Sequence, residues 1–216
     1  MILYHTFNLL KFIPHVQIRI YLFKTQLHHF VIILLSMKLK IIKDNNPIMR
    51  KRSLPVDLPL SSKDKETLDA MLEYLKLSQD EEYSKKHNIQ PGVGMAAIQI
   101  GILKRMFVIY YQRDEEIVQY QLVNPQILET SVKKCALENG EGCLSVPKAH
   151  EGLVHRYYKI KMKAYDALTN EAIVISAMGY DAVVLQHEYD HLDGKFYYDR
   201  INPQNPFGKA LGEEII

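Results

Sequence analysis

The chain has 216 residues, enough for one domain with a full core. With 47% hydrophobic and 24% charged residues it is neither a disordered nor a collagen-like sequence. The formal charge of +2 lacks the concentrated basic face of a dedicated nucleic-acid binder, and the two cysteines cannot staple a secreted scaffold. Charge is nevertheless uneven along the chain. Residues 1–60 hold 9 Lys/Arg against 2 Asp/Glu, which leaves 18 against 23 for residues 61–216.

Residues 1–36 mix apolar and aromatic side chains with Lys11, Arg19, Lys24 and histidines, and contain no acid. Their longest apolar run, Phe30 to Leu35, is six residues, far short of a membrane span and short for a signal peptide. An amphipathic or targeting extension is a second reading, since the absence of acids suits one. The third, which we prefer, is that Met37 is the natural start and residues 1–36 are a misassigned extension that is not native. The remainder, 37–216, reads as a single domain.

Met37–Lys43 is expected to form a short strand, and Asn46-Pro47 a turn. Ser61 has the character of an N-cap, with Asp64 and Glu66 in the first turn. Leu68, Met71, Leu72 and Leu75 then follow at helical spacing, predicting one long helix to about Lys86. Arg105–Tyr111 and Ile117–Val123 are β-rich runs joined by a charged turn. Gln126–Leu137, Tyr157–Asp166 and Glu171–Ala177 continue the strands, with Leu168-Thr-Asn170 as a hairpin turn. From Tyr180 to Leu192 the period becomes helical and closes at Gly194. The fold class is therefore α+β, with antiparallel strands between a long helix in the first half and a late helix.

That late helix contains His187-Glu188-Tyr189-Asp190-His191. Two histidines four apart present both imidazoles on one helical face, and Glu188 is turned aside far enough to serve a metal's water without ligating. An amphipathic surface helix with the same letters is the plain alternative. A three-ligand site needs one more donor. The position of a third histidine in extended metalloproteases is Tyr197, and the only acids near the spacing of the glutamate class are Glu213 and Glu214. Both peptidase signatures fail there. Cys143, in Glu141-Gly142-Cys143-Leu144-Ser145, is the obvious substitute, and a thiolate with two imidazoles suits Zn²⁺ or Fe²⁺; a small buried hydrophobe is the plain alternative, since 44 residues separate it from His187. Cys135 reads as a small buried hydrophobe.

The third feature is Gly92–Gly101. Its glycines mimic a dinucleotide fingerprint, but a helix and Pro91 precede it and strands follow, which is the wrong context. What remains is a tight loop carrying Gln99 among apolar neighbours, an amide able to donate to a developing oxyanion.

Together the three segments resemble the peptide deformylase family, whose motifs match Gly92–Gly101, Glu141–Ser145 and Gln186–Gly194. The resemblance runs from about Met37 to Asn205 and takes in Asn46-Pro47-Ile48. It implies antiparallel sheets around a central metal-binding helix, and removal of the formyl group from the N-terminal formyl-methionine of nascent polypeptides, with release of formate. It also implies that Cys143, His187 and His191 hold the metal, usually Fe²⁺, with zinc, nickel or cobalt able to replace it. Glu188 would act as base and then acid, and the Gln99 side chain and Leu144 N–H would stabilise the oxyanion. Val183, Val184 and Tyr180, on the His187 face, would receive the methionine side chain. Val93, Gly94, Glu141 and Gly142 would form another wall, pairing an extended peptide by backbone. Arg156 is expected to meet the substrate downstream. A monomer in the cytoplasm, with transient ribosome association, no nucleic-acid specificity and no membrane span, completes the reading. An HExxH metallopeptidase and a non-catalytic metal-binding homologue are the alternatives.

Overall fold

The computed structural model describes Leu27, residues 31–36 and residues 39–216; the readings made for residues 1–26, 28–30, Met37 and Lys38 lie outside the described residues. Residues 31–36 are helical, and Ile32 and Ser36 are buried. The strand expected from Met37 is absent from its described part. Residues 39–43 are irregular because they are held by single contacts, Ile42 N–H to Gln99 O at 2.8 Å and the Lys43 ammonium to Leu144 O at 2.8 Å, not by a ladder. Pro47 then opens a short 3₁₀ turn, Pro47–Arg50, capped by the Asn46 side chain.

Helix α1 spans Ser62–Gln79, with Ser61 Oγ accepting from Asp64 N–H at 3.1 Å. It stops earlier than its periodicity implies. Asp80 leaves the helical region and its carboxylate accepts from Tyr83 N–H at 2.7 Å, starting a second helix, α2, Glu81–His87. A short polar side chain that satisfies an orphan backbone donor restarts a helix as readily as it begins one.

Eight strands follow. They are β1 (Gly94–Ala96), β2 (Met106–Arg113), β3 (Glu116–Thr130), β4 (Lys134–Ala136), β5 (Arg156–Tyr157), β6 (Lys159–Asp166), β7 (Glu171–Met178) and β8 (Glu214–Ile215). A five-stranded antiparallel sheet has the order β1-β2-β3-β6-β7, and a smaller sheet has the order β5-β4-β8, in which β4 and β8 run parallel. The expected single strand Gln126–Leu137 is split between the two sheets at Ser131–Lys133. Pro125 is tolerated inside β3 because the ladder to β6 is interrupted there. Asn124 sits at φ +50° and bonds both backbone polar groups of Val56.

Helix α3 is Tyr180–Leu192, and the chain turns after it at Gly194, φ +70°. A Cβ on Gly194 would lie 2.4 Å from Arg50 O, so the turn requires glycine. Helices α1 and α3 cover opposite faces of the large sheet. Period-two alternation in β2 sends Phe107, Ile109 and Tyr111 to the core shared with Val184 and Leu185 of α3. The same alternation sends Met106 and Val108 to the core shared with Leu68, Met71 and Leu75 of α1. That two-sided burial is why β2 is a continuous apolar run. The far side of α3 meets the small sheet, where the Gln186 amide bonds both N–H and C=O of Tyr157 at 3.0 and 2.8 Å.

Candidate active site and metal centre

Three elements converge: the β1 segment with the 3₁₀ turn Ala97–Ile100, the irregular stretch between β4 and β5, and α3. Adjacent turns of α3 bring the rings of His187 and His191 to a centroid separation of 4.9 Å. Cys143 Sγ lies 3.2 Å from His191 Nε2 across a sequence gap of 48 residues. One donor atom from each of Cys143, His187 and His191 lies within 4.8 Å of the others, and all three residues are buried.

The chemistry of this donor set fits a metal. His187 Nδ1 is engaged with Glu141 Oε2 at 2.7 Å, which orients the ring and leaves Nε2 free to face Cys143. Burial alone would raise the Cys143 thiol, but the charges and hydrogen bonds of His191 and His187 outweigh it and bring its pKa down to about 5, so the sulfur is a thiolate near neutrality. His187 is pushed the other way: burial disfavours its cation, yet contact with Cys143 and Glu141 holds its pKa well above the usual value. A low thiol and a high imidazole in contact describe protons sharing the space that a cation takes.

Glu188 is 3% exposed and its Oε2 has no hydrogen-bond partner. Burial raises its pKa to about 7, an effect that the facing histidines moderate. Gly94 makes room for this carboxylate, since a Cβ there would sit 2.4 Å from Glu188 Oε1. Gln99 is 1% exposed. Its Oε1 accepts from Ala96 N–H at 2.8 Å, so its Nε2 is turned toward Ser145 Oγ at 3.1 Å and Cys143 Sγ at 3.6 Å.

These groups border a cavity of about 300 Å³. Val93, Gly94, Gly142, Val183, Val184 and Tyr180 line it, together with Gln99, Leu144 and Glu188. Glu141 also reaches its wall. Its carboxylate is 3% exposed and engaged by His187 and by a two-pronged ion pair with Arg156, 2.8 Å from Nε and 2.8 Å from Nη2. The expectation for Arg156 needs correcting. This residue is fully buried, also bonds Asp190, and so cannot reach a substrate downstream. Arg200 closes this network on Asp190. Sequence reading missed it, although Asp190 stands three residues after His187 on the same helix, where neighbours of a ligand are found. Burial would raise the Glu141 carboxyl, but Arg156 brings its pKa down to about 2.

Tyr197 stacks on His187 with centroids 6.1 Å apart and an 18° tilt. The late acids take no part. Glu213 pairs with His155, and Glu214 with Lys133.

Fold and site thus define an α+β protein with a buried Cys/His/His centre beside an unpaired glutamate. The polypeptide deformylase family model matches residues 38–207. The chain is 45% identical over 175 residues to the peptide deformylase of Macrococcus caseolyticus, covering 80% of this chain and 94% of that one. It is 44% identical over 168 residues to peptide deformylase 2 of Geobacillus stearothermophilus, covering 77% and 91%. The crystal structure of the Thermotoga maritima peptide deformylase superposes with a TM-score of 0.61 at 34% identity, over 76% of this chain and 98% of that one. A peptide deformylase from Legionella pneumophila gives 0.61 at 32% identity, over 77% and 88%. This chain belongs to the polypeptide deformylase family.

Proposed function

We propose that the protein is a metal-dependent hydrolase that removes the formyl group from the N-terminal formyl-methionine of nascent polypeptides and releases formate. The observation that carries this reading is the approach of Cys143, His187 and His191 to within 4.8 Å beside a buried, unpaired Glu188. Cys143, His187 and His191 would hold the ion. We favour Fe²⁺, with zinc, nickel or cobalt able to occupy the same soft donor set. When bound, the metal supplies Lewis-acid polarisation and lowers the pKa of water to near neutrality.

The rest falls to the chain's own residues. Glu188, with its pKa raised to about 7, takes a proton from the attacking water and returns it to the leaving amine nitrogen. The Gln99 Nε2 amide, held in one orientation by Ala96 N–H, and the Leu144 backbone N–H donate to the oxyanion, each worth roughly 3–4 kcal/mol. Val183, Val184 and Tyr180 receive the methionine side chain, while Val93, Gly94 and Gly142 offer backbone to the extended peptide. The Glu141 backbone belongs to that same wall, while its carboxylate positions His187. No helix among the described residues is long and apolar enough to cross a membrane. We place the protein in the cytoplasm as a monomer meeting nascent chains, with 37–216 as its one catalytic domain.

The function is tested by incubating the metal-loaded protein with formyl-Met-Ala-Ser. Formate and free amine are expected, without peptide fragments. Glu188→Ala should abolish release while a full equivalent of metal stays bound. A variant that still turned over at the parental rate would overturn the role given to Glu188.

A further inference from the structure

The residues after Gly212 bridge two walls of the cavity that are far apart in sequence. Strand β8 pairs in parallel with β4, Cys135 opposite Glu214 and Ala136 opposite Ile215. Ile216 continues the pairing by donating its N–H to Ala136 O at 3.0 Å, and its carbonyl accepts from Glu138 N–H at 2.9 Å. These two bonds flank Leu137, which lines the cavity with Gly140 and Gly142. On its other side the Ile216 side chain faces Gly179, the residue before α3. Its Cδ1 is 3.9 Å from the point where Gly179 would carry a Cβ, directly ahead of Tyr180, the opposite wall. The segment is itself anchored, since the Glu213 side chain is 0% exposed, 2.7 Å from His155 Nδ1, and accepts from Ala210 N–H at 2.9 Å.

The two ends of the Leu137–Cys143 stretch are therefore held by different means. The far end is tied to the metal centre through Glu141 and Cys143. The near end depends on β8 and Ile216. We propose that Ile216, with β8, is a positioning and specificity-determining clamp that sets the spacing between the Leu137–Gly142 wall and the Tyr180–Val184 wall, and hence selects for a long unbranched side chain on the substrate's first residue. This rests on the reading that the cavity receives the formyl-methionyl side chain. A clamp acting on the walls and not on the reacting groups alters substrate binding more than turnover.

Ile216→Ala removes the side chain that faces Gly179 but keeps both backbone bonds; Ile216→Pro removes the N–H given to Ala136. Both are compared with the parent, metal-loaded, on formyl-Met-Ala-Ser and formyl-Ala-Ala-Ser, with metal content and exchange of the Glu138 amide measured alongside. For Ile216→Ala we expect KM for the methionyl substrate to rise about threefold, kcat and bound metal to stay parental, and the preference over the alanyl substrate to shrink. For Ile216→Pro the KM rise should reach about tenfold, with faster Glu138 exchange. Unchanged KM and preference in a folded Ile216→Ala protein overturn the clamp, as does loss of kcat and metal at constant KM. Should Ile216→Pro fail to fold, Ile216→Ala decides alone. A parent that releases no formate sinks the deformylase reading instead, and the clamp then stands or falls on whether either substitution speeds Glu138 exchange.

Discussion

Glu188 is usable because a neighbouring residue has no side chain. The carboxylate occupies the volume that a Cβ on Gly94 would fill, 2.4 Å from Oε1. Gly94→Ala is expected to displace the carboxylate, lower kcat by at least about tenfold and leave metal content intact, since misplacing a catalytic group by an ångström costs orders of magnitude. Steady-state kinetics with metal analysis checks this; parental kcat would show that the carboxylate can move without loss. Glu141 carries a different burden. Its pKa of about 2 lies below the 4.5 of a free glutamate, so the unfolded chain binds its proton first. The stability it contributes is complete above about pH 4.5 and is lost as pH falls toward 2. We expect Glu141→Gln to be less stable than the parent at pH 6, with the gap closing by pH about 2, in urea titrations at several pH values. The same substitution should weaken metal binding about 10–100-fold by freeing the His187 ring.

Elements hold the site through their ends more than their middles. The pairing of His187 with His191 follows from the helical period, but the angle at which α3 meets the body is set by the turn at Gly194, packed on Arg50 O. Gly194→Ala combines a backbone conformation that side chains avoid, φ +70°, with that clash, and should cost more than about 1 kcal/mol, read as a lower melting temperature. Melting at the parental temperature would mean that the turn can relax. Local patterns made much of this level readable. The apolar stripe of α1, the Ser61 cap, the β2–β3 hairpin and the bounds of α3 are all short-range signals, and the structure has them. The break at Asp80 and the division of Gln126–Leu137 were not readable. In both, the deciding hydrogen bonds compete with a continuous pattern, and in the second the partners lie on remote strands.

At the scale of the molecule, three chain segments separated by long gaps meet at one point, and a cation is the group that reconciles a thiolate, two imidazoles and an unpaired carboxylate in so small a buried space. Chelation should therefore destabilise the protein, and Cys143→Ala should bind less than a full equivalent of metal and melt near the temperature of the chelated parent, as binding to the folded state alone requires. Calorimetry with and without chelator tests this. Full metal occupancy in Cys143→Ala would remove the sulfur from the ligand set.

The sequence by itself determined the fold class, the family resemblance, the histidine pair and the adjacent glutamate, because helix and strand periods and the spacing of neighbouring residues are local properties. Only the tertiary structure decided that the side chains of Glu141 and Arg156 are partners in a buried network. It also brought the last strand against the cavity wall and made Gly94 a requirement of Glu188. Those outcomes depend on which surfaces are buried against each other, and burial fixes the partners of a charged side chain through the cost of leaving it unpaired.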